Sequence, residues 1–123
     1  AKEAAKQLDN EHVRKMASNE KFNIYYGAPT VIVVSGREEA MVIESDCAAA
    51  TENLLLAAES VGLGSCWVNF TIIGLNSPMG ADLKKELGIP DDYRPYSSAA
   101  LGYKQVAAVN APERKPNLVS YVK

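Results

Sequence analysis

Residues 46–70, DCAAATENLLLAAESVGLGSCWVNF, constrain the fold more than any other stretch, because a helical repeat gives way there to a strand repeat across two glycines. No Gly or Pro occurs between Asp46 and Val61, and the Ser45-Asp46 pair offers side-chain oxygens to the first free amides of a helix. On a 3.6-residue wheel Cys47, Ala50, Leu54, Ala57, Ala58 and Val61 share one face. Glu52, Asn53, Glu59 and Ser60 take the other, with Ala49 and Leu56 among them. Such a helix, 46–61, is apolar over most of its circumference and belongs between layers or at a subunit interface. Each leucine it buries contributes roughly 1.5–3 kcal/mol. Gly62 stands where a left-handed residue ends a helix. The run Cys66, Trp67, Val68, Asn69, Phe70 then reads as a buried strand.

The remaining chain supplies layers for that helix. Residues 1–21 read as helix with a break at Asp9-Asn10 and a thin stripe of Ala5, Leu8, His12 and Met16. The lone His12 has no acid or nucleophile near it in sequence and is read as structural. Residues 22–29, FNIYYGAP, form an aromatic loop, and 30–35, TVIVVS, a β-branched strand. Residues 36–39 make a surface link. After Phe70, 71–75 continue as an apolar link, and Ser77-Pro78 open a short helix that runs to about Leu87, with Gly88 at its exit and Pro90 forbidding continuation. Residues 91–95 bend at the surface, 96–107 give a second apolar strand, 109–116 with their two prolines connect, and 118–122 read as a terminal strand. The expectation is a single α+β domain over 1–123: a mostly antiparallel sheet with strands near 30–35, 65–70, 97–107 and 117–122, and helix 46–61 packed against it.

Composition excludes several classes of function. With 123 residues, 47% of them hydrophobic, the chain can bury one core and not two. Thirteen basic and 15 acidic residues leave a net charge of −2, without the basic face that nucleic acid requires. No apolar run reaches membrane-spanning length and no leader opens the chain, so a soluble cytoplasmic protein is expected. Cys47 and Cys66 lie in apolar elements and are expected to be buried, reduced and non-catalytic, and their spacing excludes a zinc site. There is no Ser-His-Asp set, no isolated carboxylate pair and no phosphate loop, so no side chain is assigned a catalytic role. Gly62-x-Gly64 follows a helix and lacks the third glycine of a dinucleotide fingerprint. Residue types alone read 67–70 as a plain buried strand and Arg114-Lys115 as a solvated charged turn.

Four stretches nevertheless carry a resemblance. They are Asn53-Leu54-Leu55-Leu56-Ala57-Ala58 followed by Gly62-Leu63-Gly64-Ser65-Cys66-Trp67-Val68; Tyr26-Gly27-Ala28-Pro29 ahead of a strand; Leu87-Gly88-Ile89-Pro90-Asp91-Asp92-Tyr93 leading to Ala100-Leu101-Gly102-Tyr103; and Pro112-Glu113-Arg114-Lys115-Pro116. In this order they resemble the nitroreductase family of FMN-dependent oxidoreductases. The resemblance implies a three-layer α/β/α arrangement around the buried helix 46–61, and a homodimer with its active site at the interface. It implies FMN as cofactor, NAD(P)H as donor and a small nitroaromatic or quinone-like acceptor. It sets Trp67, Val68, Asn69 and Phe70 along the flavin ring, with backbone amides donating toward N5 and O4, and Arg114 and Lys115 at the flavin phosphate. Flavin chemistry agrees with the lack of catalytic side chains, because the ring itself carries the hydride. The family's N-terminal Arg-Ser-x-Arg-type segment is missing, so a domain truncated at its N-terminus is expected, with weak or no FMN binding. The alternative is a flavin-free remnant that acts only through association.

Overall fold

The computed structural model describes residues 1–106, 110–116 and 118–122. Its helices are α1 (Lys2–Ala5), α2 (Glu11–Ser18), α3 (Ile43–Ser60), α4 (Phe70–Leu75) and α5 (Ala81–Glu86). Its strands are β1 (Thr30–Arg37), β2 (Leu63–Trp67) and β3 (Tyr93–Tyr103). The three strands form one antiparallel sheet in the order β1-β3-β2, so the last strand in sequence lies between the other two. The mixed helical and antiparallel architecture is the one expected.

β3 is central, so both of its faces must be covered, and its sequence SSAAL suits that because small side chains admit a layer on each side. Ser97, Ser98, Ala99, Ala100 and Leu101 are all buried. Ala99 and Leu101 pack with Ala58 of α3, joined by Leu54, Leu55 and Leu63. Thr51 of α3 meets Ser97 on that same face. On the opposite face Tyr25 reaches Ser98, and Pro29 stands against Gly102. Lys2 of α1 extends over the Phe22 ring, which meets Phe70 of α4 edge-on at 5.6 Å. The helices α1, α2 and α4 thereby gather around the aromatic loop.

Several local signals act as read. The first helix already ends at Ala5, four residues ahead of the expected break, but the Asn10 side chain caps α2 as read, accepting from the Val13 amide at 3.1 Å. Gly62 follows α3 with φ +80°, a conformation that costs a side-chain-bearing residue steric strain. Past α5, Gly88 and Ile89 donate to Lys85 and Lys84, the double hydrogen bond of a Schellman exit. Pro78 opens a short 3-10 turn, Pro78–Gly80, directly before α5.

Other expectations are corrected. The main helix starts at Ile43, without a side-chain cap, instead of at Asp46. Gly36 explains how: a Cβ there would lie 2.2 Å from Ile43 Cδ1, so the glycine lets the first turn settle on β1. The buried face of α3 centres on Cys47, Thr51 and Ala58, while Ala50, Ala57 and Val61 are exposed. Residues 71–75 belong to α4 and are not a link, which ends β2 at Trp67 instead of at Phe70. β3 begins at Tyr93, where a surface bend was expected. It absorbs Pro95 at a register shift opposite Val34 and Ser35, where no ladder amide is needed. It ends at Tyr103; of the region expected to continue it, 104–106 lie outside the strand and Ala107 falls outside the described residues. The connection expected at 109–116 has Val109 outside the described residues. Within the expected terminal strand Asn117 also falls outside them, and 118–122 are exposed and unpaired with the sheet. Cys66 is exposed, against expectation, because β2 is an edge strand, whereas Cys47 is buried; both are free thiols. No helix among the described residues is long and apolar enough to cross a membrane.

Candidate functional site

The end of β2 and the start of α4 make a sharp corner, and its backbone is held from one side. Trp67 is the last residue of the β2–β3 ladder, opposite Ala99. Val68 remains tied to β3: its amide donates to the Ser98 carbonyl at 2.7 Å, and the Ser98 hydroxyl donates to the Val68 carbonyl. Asn69, at φ −93° and ψ −8°, then turns the chain into α4. The Val68 amide is therefore consumed within the sheet. The amides at the start of α4 lack partners in the preceding turn, as the first amides of any helix do.

The four residues 67–70 stand in different surroundings. Val68 is buried and Phe70 half-buried against Phe22. Asn69 is exposed, and Trp67 retains 36% of its surface, which corrects the reading of a plain buried strand. The Trp67 indole N–H donates to Asn69 Oδ1 at 2.6 Å, which fixes both side chains at the corner.

Trp67 also borders a cleft of about 320 Å³ between the first turns of α3, α4 and the start of β3. Glu44 and Ala48 form one wall, Ile72 and Asn76 another, and Arg94, Tyr96 and Ser97 the floor. The Arg94 guanidinium lies 5.8 Å from the Tyr96 ring centre, a cation–π distance, and 3.9 Å from Glu38. Asn76 donates to the Pro95 carbonyl at 2.9 Å and so ties α4 to β3. The cleft joins aromatic, apolar and cationic surface.

Arg114 and Lys115 do not line this cleft, and both side chains are exposed. The Cys47 thiol is pushed above its ordinary pKa, first by burial and then by the neighbouring Asp46 carboxylate. It is a dry, protonated thiol, as the apolar neighbours implied. His12 is exposed on α2. Among the described residues no group of three or more His, Cys, Asp or Glu could hold a metal.

Sequence reasoning missed Arg94, Tyr96 and Ser98. For Ser98 a signal existed: two consecutive serines inside an otherwise apolar strand must find partners when buried.

Comparison with known proteins adds to this geometry. The sequence model of the Nitroreductase family matches residues 1–103. A putative NADH dehydrogenase/NAD(P)H nitroreductase of Archaeoglobus fulgidus is 45% identical over 58 residues, 47% of this chain and 32% of that protein. A crystal structure of a nitroreductase with bound FMN from Bacteroides fragilis superposes with a TM-score of 0.87 at 33% identity, covering 99% of this chain and 66% of that one. A nitroreductase with bound FMN from Desulfitobacterium hafniense superposes with a TM-score of 0.78 at 22% identity, over 99% of this chain and 65% of that one, a likeness of fold alone. The chain thus spans about a third of the curated relative it matches and about two thirds of each of these structures.

Proposed function

Because this chain belongs to the nitroreductase family, we propose that it is part of an FMN-dependent oxidoreductase passing hydride or electrons from NAD(P)H to a small nitroaromatic or quinone-like acceptor. The observation that carries this reading is the corner at residues 67–70. Val68 is locked to β3, and immediately after it the backbone turns into α4, whose first amides have no helical partner, beside an exposed indole.

The residues present fit a flavin by the chemistry of their donors. Neutral amide donors at a fixed corner suit a ring edge that gains negative charge on reduction. Arg114 and Lys115 are exposed cations able to meet a phosphate, and Arg's forked donors pair with two oxygens at once. Bound FMN would supply the hydride and electron transfer itself. The chain's own residues bind and orient: Asn69 and Phe70 offer amides, Trp67 flanks them and Val68 fixes their position. Dimerisation would cover the outer face of α3, where Leu56 and Val61 are exposed, and cytoplasmic location follows as part of the same proposal.

A flavin titration followed by fluorescence and visible absorbance tests this. Wild-type protein should take up FMN only weakly and oxidise NAD(P)H when FMN is supplied in excess. Arg114→Ala should weaken uptake about tenfold to a hundredfold, the loss of one charge-assisted hydrogen bond worth roughly 1.5–3 kcal/mol. A colourless protein that neither binds FMN at millimolar concentration nor oxidises NAD(P)H would leave the flavin-free association role standing instead.

A further inference from the structure

Ser98 makes an unusual grip on Val68. Its main-chain carbonyl accepts from the Val68 amide at 2.7 Å, and its hydroxyl donates to the Val68 carbonyl. From the far side the Tyr25 hydroxyl donates to Ser98 Oγ at 3.5 Å, so the Ser98 proton is directed toward Val68. Ser98 is fully buried, as is Val68 to within a few per cent of its surface.

The consequence lies one peptide further on. The Val68 carbonyl and the Asn69 amide belong to the same planar peptide and point in opposite directions. Holding that carbonyl therefore aims that N–H. The ladder between β2 and β3 ends at Trp67, so the Ser98 hydroxyl supplies the last side-chain hold on β3 before the chain turns at Asn69. We propose that Ser98, supported by Tyr25, is a positioning residue that aims the Asn69 amide at the bound flavin ring. The proposal rests on the flavin reading given above.

Ser97 provides the matched control. It is the adjacent buried serine of the same strand, its side chain faces α3, and its hydroxyl meets Thr51 at 2.5 Å. Both Ser→Ala changes remove one buried hydroxyl from β3, but only Ser98→Ala releases the peptide that leads into α4.

Two measurements separate the outcomes. In the chain without flavin, Ser98→Ala should speed hydrogen exchange of the Val68 amide about tenfold beyond any global loss of stability, the scale of one neutral hydrogen bond. Ser97→Ala should slow or speed that amide only in line with global stability. In the FMN-loaded protein, Ser98→Ala should lower the two-electron midpoint potential by about 30 mV, a tenfold change in that equilibrium. The sign follows because a misdirected amide stabilises the reduced ring less. Ser97→Ala, whose hydroxyl faces Thr51, should shift the potential less than Ser98→Ala does. If Ser98→Ala fails to fold, Ser98→Cys keeps a side chain of similar shape with a much weaker donor and should shift both readings in the same direction. Val68 exchange no faster than in Ser97→Ala, or an unchanged potential with FMN bound, overturns the proposal. Failure of the wild-type protein to take up FMN overturns the flavin reading instead, and with it the proposed target of the amide, while the exchange experiment still decides whether Ser98 holds the corner.

Discussion

Replacing Thr51 by Val is the sharpest test of how α3 is attached to the sheet. Thr51 is 0% exposed and Ser97 1%. The Thr51 hydroxyl has one proton, and the Cys47 carbonyl 2.7 Å away can only accept it. The proton in the 2.5 Å contact between Thr51 and Ser97 must then come from Ser97. This direction makes the two truncations unequal. Ser97→Ala leaves Thr51 still bonded to Cys47, so it should cost only the net value of one hydrogen bond, about 0.5–1.5 kcal/mol. Thr51→Val keeps shape and volume but strands the Ser97 donor in a dry layer, which should cost about 1–3 kcal/mol. In a domain of this size about 1 kcal/mol corresponds to roughly 4 °C in melting temperature. The double variant removes donor and acceptor together, and its cost should fall well below the sum of the singles. Urea unfolding followed by far-UV circular dichroism gives all three values. Equal costs for the two single variants, or strict additivity in the double, would refute the proton assignment and the coupling drawn from it.

Gly62→Ala should cost about 1–2 kcal/mol, since φ is +80° and the added Cβ would meet nothing within 4 Å, leaving backbone strain as the whole effect. Gly62→Asn should cost less, because Asn tolerates that conformation better, and chemical denaturation of the two variants would check the order. The raised pKa of Cys47 means that the native state favours the protonated thiol. Its contribution to stability is complete below the unfolded thiol value of about 8.5 and is lost as pH rises through the higher folded value. Wild type should therefore lose more stability than Cys47→Ala between neutral pH and pH about 10; parallel losses would contradict this. A thiol reagent under native conditions should label exposed Cys66 at once and buried Cys47 only as the protein opens, which mass spectrometry of the labelled protein would resolve.

What the sequence by itself determined was local, because the forces involved act within a few residues. A left-handed exit at Gly62 and Gly88, a cap from Asn10 and a turn opened by Pro78 each depend on backbone φ or on one nearby hydrogen bond. Three of the four motifs that resemble the nitroreductase family lie within residues 1–103, which the family's sequence model matches, and they too are short runs readable in place. Tertiary structure alone decided the strand order β1-β3-β2, since pairing Thr30 with Leu101 and Leu63 with Tyr103 joins residues far apart in the chain. That order made β3 central and β2 an edge, and so left Cys66 and part of Trp67 in solvent although their neighbours look equally apolar. It also chose the buried face of α3, because the sheet offers Ser97 to Thr51 and a missing Cβ at Gly36 to Ile43. A helix apolar on most sides can be rotated at little cost until such partners exist, and hydrophobic periodicity cannot tell which of its apolar faces will find them.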